Sequence, residues 1–93
     1  QPAGAWLEEG GRRHPLSLAG LSLGRSHEND VVLADDRASR HHARVDLQEG
    51  AWAILDLGSA NGTFVNGERV RQQVLRPGDE IRIGDTLFHF RKG

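Results

Sequence analysis

The chain has 93 residues, enough for one small core and not for two. Hydrophobic residues make up 37% and charged residues 27%, and 12 basic against 13 acidic side chains leave a formal charge of −1. That balance excludes an overall polycation that coats nucleic acid and a highly charged disordered chain.

Cysteine is absent, which excludes disulfides, thiolate metal ligands and a cysteine nucleophile and is compatible with a reducing compartment. No apolar run reaches the roughly 18–20 residues of a membrane helix, and no charged-then-apolar leader is visible. The expectation is a cytoplasmic location without membrane insertion. Methionine is absent even at position 1, which points to a piece excised or processed from a longer protein.

In chain order, a Gly10-Gly11 turn comes first, and Leu21-Ser22-Leu23 then forms a short strand. Two polar stretches without strand pattern follow, Arg25–Asp30 and Ala34–His42. Ala43, Val45 and Leu47 alternate with Arg44, Asp46 and Gln48, and a Glu49-Gly50 turn leads on. Trp52, Ile54 and Asp56 alternate with Ala53, Leu55 and Leu57, a strand apolar on both faces. Gly58–Gly62 is a third irregular stretch.

Asn66-Gly67 between Thr63-Phe64-Val65 and Glu68-Arg69-Val70 predicts a hairpin, because both central residues of its turn tolerate positive φ. After Pro77-Gly78, Ile81 and Ile83 alternate with Glu80 and Arg82. Beyond Gly84-Asp85, Thr86, Phe88 and Phe90 alternate with Leu87, His89 and Arg91. Period-two runs separated by recurrent turns, with no helical period, predict a single all-β sandwich or barrel.

Binding chemistry usually sits on loops held by a rigid scaffold, so the three irregular stretches are the candidate site. Arg37, Arg40, His41, His42 and Arg44 form a local basic concentration that Asp35 and Asp36 partly offset. Such a compact patch fits one small dianion better than a polyanionic backbone. Ser39 adds a hydroxyl, Asn61 an amide that both donates and accepts, and Arg25 projects from a strand end. If these loops share one rim, a phosphate could accept hydrogen bonds from Arg25, Ser39, Arg40 and Asn61. Spacing alone equally allows solvated arginines, a turn-forming serine and an Asx turn.

The motifs Gly24-Arg25, Asn29-Asp30-Val31-Val32-Leu33, Ser39-Arg40-His41-His42-Ala43, Asp56-Leu57-Gly58-Ser59-Ala60-Asn61-Gly62-Thr63, Val65-Asn66-Gly67, Leu75-Arg76-Pro77-Gly78-Asp79 and Ile83-Gly84 together resemble the forkhead-associated (FHA) domain. The resemblance runs from about Trp6 to Phe90 and implies one FHA-like domain over residues 1–93. It implies a twisted β-sandwich of about eleven mainly antiparallel strands, with loops at one end that bind phosphothreonine peptides. By the same resemblance Arg25 and Ser39 are phosphate ligands, Arg40 is a further phosphate or peptide contact, and Asn61 bonds the peptide backbone. His42 braces the loops, Gly24 and Gly62 are backbone-conformation positions, and Asn66 is the turn asparagine, a further support. Ala60 departs from members with Thr or Ser there, and removes at most one phosphate contact relative to them.

The function implied is phosphothreonine-dependent protein binding in Ser/Thr kinase signalling. The partner would be another protein or a phosphorylated segment of the parent chain. The alternative is a phosphorylation-independent interaction or self-association module using a sheet face or edge strand.

Neither an enzyme nor a cofactor is expected. Gly20-Leu21-Ser22-Leu23-Gly24 matches the nucleophile-elbow pattern G-x-S-x-G but lies in a strand with no helix after it. Ser39 and His42 lack a specified carboxylate and oxyanion hole. The five histidines show no metal-ligand spacing, and Asn61-Gly62-Thr63 is only formally a glycosylation sequon. Nucleic-acid binding would rest only on the eleven arginines, for which codon usage is the blander account.

Overall fold

The computed structural model describes residues 4–93, so the first three residues of the expected unit lie outside it. Eleven strands run through the described residues: β1 (Ala5–Glu9), β2 (Arg12–Pro15), β3 (Leu21–Gly24), β4 (Val31–Val32), β5 (Ala43–Gln48), β6 (Ala51–Asp56), β7 (Thr63–Val65), β8 (Glu68–Val70), β9 (Gln72–Val74), β10 (Glu80–Ile83) and β11 (Thr86–Lys92). They form two sheets, a six-stranded one in the order β2-β1-β11-β10-β7-β8 and a five-stranded one in the order β4-β3-β5-β6-β9. Every pair is antiparallel except β3 with β4. The all-β sandwich expected from the alternation is thus what the chain adopts.

Alternation explains the core. Leu7, Leu23, Val45, Ile54, Ile81, Ile83, Phe88 and Phe90 point between the sheets and are at most 1% exposed. Burying side chains of this size contributes roughly 1.5–3 kcal/mol each relative to leaving them in water. The two-faced apolar strand has a simple cause. Trp52 and Ile54 of β6 enter the core, whereas Ala53 lies on the opposite face, paired with Val74 of β9. The strand ends one residue before Leu57, which is exposed.

Asn66 has φ 51° and Gly67 φ 87°, so the predicted tight turn joins β7 to β8. Two registers orient the molecule. Arg82 pairs with Phe64, which brings the end of β10 and the Gly84–Asp85 turn beside the start of β7. Ala5 pairs with Lys92, at the other end of β11 from that turn. The loops after β3, β4 and β6 therefore gather at one end, with the Gly84–Asp85 turn, and the start of β1 meets the end of β11 at the other.

Candidate functional site

Three loops build the rim: residues 25–30 after β3, 33–42 after β4 and 57–62 after β6. Backbone bonds tie the first two together. The Arg25 amide donates to the Ser39 carbonyl at 2.9 Å, and the Ser26 amide donates to the Arg40 carbonyl at 3.1 Å. A side chain at Gly24 would collide with that Arg40 carbonyl, so only glycine permits the approach. Asn29, 8% exposed, locks the same corner by donating to the carbonyls of Ser26 (2.9 Å) and Arg40 (2.7 Å).

His42 joins the second loop to the third and has no exposed surface. Its Nδ1 accepts from the Ser39 amide at 3.0 Å, and its Nε2 lies 2.9 Å from the Gly62 carbonyl. A ring carrying its proton on Nε2 satisfies both partners at once. The Ser39 hydroxyl accepts from the Ala60 amide at 3.2 Å, a second tie between the same loops.

Asp56 organises the third loop from the end of β6. Its carboxylate accepts from the Gly58 amide (3.1 Å), the Ser59 amide (3.0 Å), the Ser59 hydroxyl and the Thr63 hydroxyl (2.8 Å). Burial pushes the Asp56 carboxyl up, but the bonds from Ser59 and Thr63 outweigh it and hold the group below its ordinary value. Ser59 passes the order on by accepting from the Gly62 amide at 3.0 Å. Gly62 has φ 93°, a conformation that strains any side chain.

On this frame lie the four residues expected to bind. Arg25 donates through Nε to the Ala38 carbonyl at 3.1 Å, which fixes its stem. Neither the Arg25 nor the Arg40 guanidinium has a carboxylate partner among the described residues, and both side chains are exposed. Ser39 lies between them in the bonding pattern, half-buried. Asn61 donates to the Arg37 carbonyl at 2.8 Å, leaving its amide oxygen with no intramolecular partner among the described residues. The bonds above thus bring Arg25, Ser39, Arg40 and Asn61 onto one rim.

The basic concentration is smaller than composition suggested. Arg37 is spent on Asp35 (Nε to Oδ1, 3.3 Å) and on Asp85, and Arg44 on Asp46 at 3.0 Å. The Asp85 amide also donates to Asp35 at 2.8 Å. Backbone bonds from Asp85 and Arg37 lower the Asp35 carboxyl below its usual range. This clasp ties the Gly84–Asp85 turn to the rim and holds the carbonyl that Asn61 uses. A shallow groove beside it is lined by Glu9, Arg12, Asp35, Asp36, Arg37 and Asp85.

Asn66 is placed differently from the loop-supporting role expected. Its side chain donates to Asp79 (3.0 Å) and accepts from the Glu80 amide (3.0 Å). These bonds join the β7–β8 turn to the segment before β10, at the opposite end of β7 from residues 57–62. Asn66 braces the hairpin, not the binding loops, because a three-residue strand separates the two ends.

Sequence reasoning missed Asp56, Ser59, Asn29 and the Asp35–Arg37–Asp85 clasp as organisers. The Asp-x-Gly-Ser run at 56–59 was a readable signal, since an aspartate two residues ahead of a glycine commonly caps a turn. Among the described residues no group of three or more His, Cys, Asp or Glu side chains could hold a metal ion. Among the described residues no helix is long and apolar enough to cross a membrane.

Comparison with known proteins agrees with this fold. The family model for the FHA domain matches residues 21–84. The chain is 44% identical over 94 residues to the transcriptional regulatory protein EmbR of Mycobacterium tuberculosis, covering 98% of this chain and 24% of that protein. It is 41% identical over 83 residues to the oxoglutarate dehydrogenase inhibitor of Corynebacterium glutamicum, covering 89% of this chain and 58% of that one. Among solved structures, M. tuberculosis EmbR bound to a low-affinity phosphopeptide superposes with a TM-score of 0.93 at 42% identity, covering 100% of this chain and 25% of that one. A structure from an analysis of phosphothreonine-dependent FHA domain interactions superposes with a TM-score of 0.85 at 31% identity, covering 96% of this chain and 94% of that one. The chain spans about a quarter of the length of EmbR.

Proposed function

The chain belongs to the FHA domain family, and we propose that it binds one phosphothreonine of a protein partner through Arg25, Ser39, Arg40 and Asn61. The observation that carries this reading is the pair of exposed arginines, Arg25 and Arg40, without carboxylate partners among the described residues, on the backbone-tied loops that also carry Ser39. An exposed, braced cluster of free donors suits a small dianion. A relative points the same way, since EmbR of M. tuberculosis, of comparable fold, is seen in complex with a low-affinity phosphopeptide.

The energetics follow from charge. A phosphothreonine carries about −1.5 to −2 charges at neutral pH. Each charge-assisted bond contributes on the order of 1.5–3 kcal/mol, so two or three make binding depend on the phosphate by several kcal/mol. Arg25 and Ser39 hold the phosphate, and Arg40 adds charge or a peptide contact. Asn61 positions the peptide backbone through its free amide oxygen. A pocket for the threonine γ-methyl adds only about 0.8 kcal/mol by area, so a strong preference over serine needs a steric contribution as well.

The reading assigns no catalysis: the rim is a binding surface, and the Ser39 hydroxyl accepts from the Ala60 amide. His42 Nδ1 is occupied by a backbone amide and cannot serve as a base for that serine. In the parent protein this single domain would act in Ser/Thr kinase signalling in the cytoplasm. Its ligand is another protein or a phosphorylated segment of the same chain. Tethering in the second case raises the effective concentration and lets a weak site work as a switch.

Calorimetric titration with a degenerate phosphothreonine peptide library, against the same library dephosphorylated, tests the reading. Binding to the phosphorylated library alone is expected. Equal binding to both would instead favour a phosphate-independent module, for which the exposed edge strand β9 offers a surface.

A further inference from the structure

The outer face of the six-stranded sheet carries a second positive feature that none of the site residues above uses. Arg69 of β8, Phe64 of β7 and Arg82 of β10 are neighbours across three strands, by the registers Phe64–Arg69 and Phe64–Arg82. The Arg82 guanidinium stacks on the Phe64 ring, 4.8 Å from its centroid. Such stacking holds a long side chain in place while leaving its N–H groups turned outward. Neither Arg69 nor Arg82 has a carboxylate partner among the described residues, and both are exposed.

The ladder is continuous with the rim. The Arg69 side chain lies over Gly62, so closely that a Cβ there would fall 2.5 Å from Arg69 Nε. Gly62 directly follows Asn61. The positive track therefore begins one peptide unit from the proposed backbone contact and runs outward over Phe64 to Arg82.

The groove on the Arg37 side differs. Its lining holds four acidic residues, Glu9, Asp35, Asp36 and Asp85, against two arginines, Arg12 and Arg37, so an acidic segment is repelled from it. Of these two surfaces bordering the rim, only the Arg69–Phe64–Arg82 ladder suits acid.

We propose that the Arg69–Phe64–Arg82 ladder is a specificity subsite that selects partners with acidic residues flanking the phosphothreonine. The inference rests on the phosphothreonine reading. One carboxylate meeting one of these arginines in an exposed setting strengthens binding up to about fivefold. The preference fades as salt rises, because both charges are open to solvent.

The test uses phosphothreonine peptides with alanine flanks, and the same peptides with glutamate or lysine placed at each flanking position in turn. The wild-type domain and the Arg69→Gln, Arg82→Gln double variant are titrated in parallel, with melting temperatures as a folding control. The expected result is a glutamate gain of up to about fivefold at one or more positions, a lysine loss at the same positions, and neither in the double variant. Phe64→Leu, which removes the ring under Arg82, reduces the gain without abolishing phosphate dependence. Alanine-flanked phosphopeptides that bind with no glutamate gain, or a gain that survives in the double variant, overturn the subsite and leave the phosphothreonine reading standing. Loss of phosphate dependence in the wild type would overturn that reading instead, and the subsite with it.

Discussion

Two layers of the same loops behave oppositely. In the inner layer, His42, Asp56, Ser59 and Asn29 have their bonding capacity largely spent on backbone and side-chain partners within the chain. In the outer layer, Arg25, Arg40 and Asn61 keep charge or bonding groups free of intramolecular partners among the described residues. The difference teaches where rigidity and recognition reside. A buried polar group left unbonded costs about 1–3 kcal/mol, so the inner layer must be complete before any ligand arrives. Donors of the outer layer are open to water, and leaving them free costs little until an anion displaces that water.

Breaking the inner layer should have the largest effect. His42→Ala orphans the Ser39 amide and the Gly62 carbonyl and leaves a cavity, a loss on the order of 3 kcal/mol of stability. Chemical denaturation should show that loss, and phosphopeptide affinity should fall with it. A variant that binds poorly but unfolds normally would dissolve the distinction between the layers.

Asp56→Asn comes next and adds a pH signature. The folded carboxyl titrates below its ordinary value, so the unfolded chain takes up the proton first as pH falls. The stabilisation from this group is therefore present above the usual aspartate range, near pH 4, and is lost as pH drops through the depressed folded value. Wild type and Asp56→Asn should differ in stability at pH 7 and converge in acid. A difference that stays constant with pH would contradict the bonding described for Asp56.

Ser39→Ala crosses both layers. Its hydroxyl accepts from the Ala60 amide and faces the proposed phosphate, so affinity should fall by about 1–2 kcal/mol with a smaller loss in melting temperature. Asn66→Ala should have the smallest effect on recognition. It loses two hairpin bonds and strains a positive φ, at about 1 kcal/mol of stability, with phosphopeptide affinity unchanged. An affinity loss there would show that the far end of β7 does communicate with the rim.

Much of this division is legible in the sequence, for identifiable reasons. The strands β5, β10 and β11 alternate because one face of each meets the core, whereas β6 is apolar on both faces, and Asn66-Gly67 marks its own turn. The strand β4 has two residues, and all three residues of β9 are exposed, so neither leaves a period to read. At the site, Arg25, Ser39, Arg40 and Asn61 could be chosen by residue type and motif. Their meeting on one rim depends on bonds between segments up to 24 residues apart, which spacing does not reveal. Arg37 shows the converse: it looked like part of the basic patch, but Asp85, distant in sequence, neutralises it.

The central claim is that the outer layer recognises and the inner layer supports. Arg25 tests it most directly, since its guanidinium is exposed while its backbone stays bonded to Ser39. Calorimetric titration of Arg25→Ala with a phosphothreonine peptide that the wild type binds, with the melting curve of the same sample, gives the answer. The account predicts affinity at least tenfold weaker, as the loss of one or two charged bonds requires, and a melting temperature close to wild type. Undiminished affinity would contradict it and move the site elsewhere on the fold.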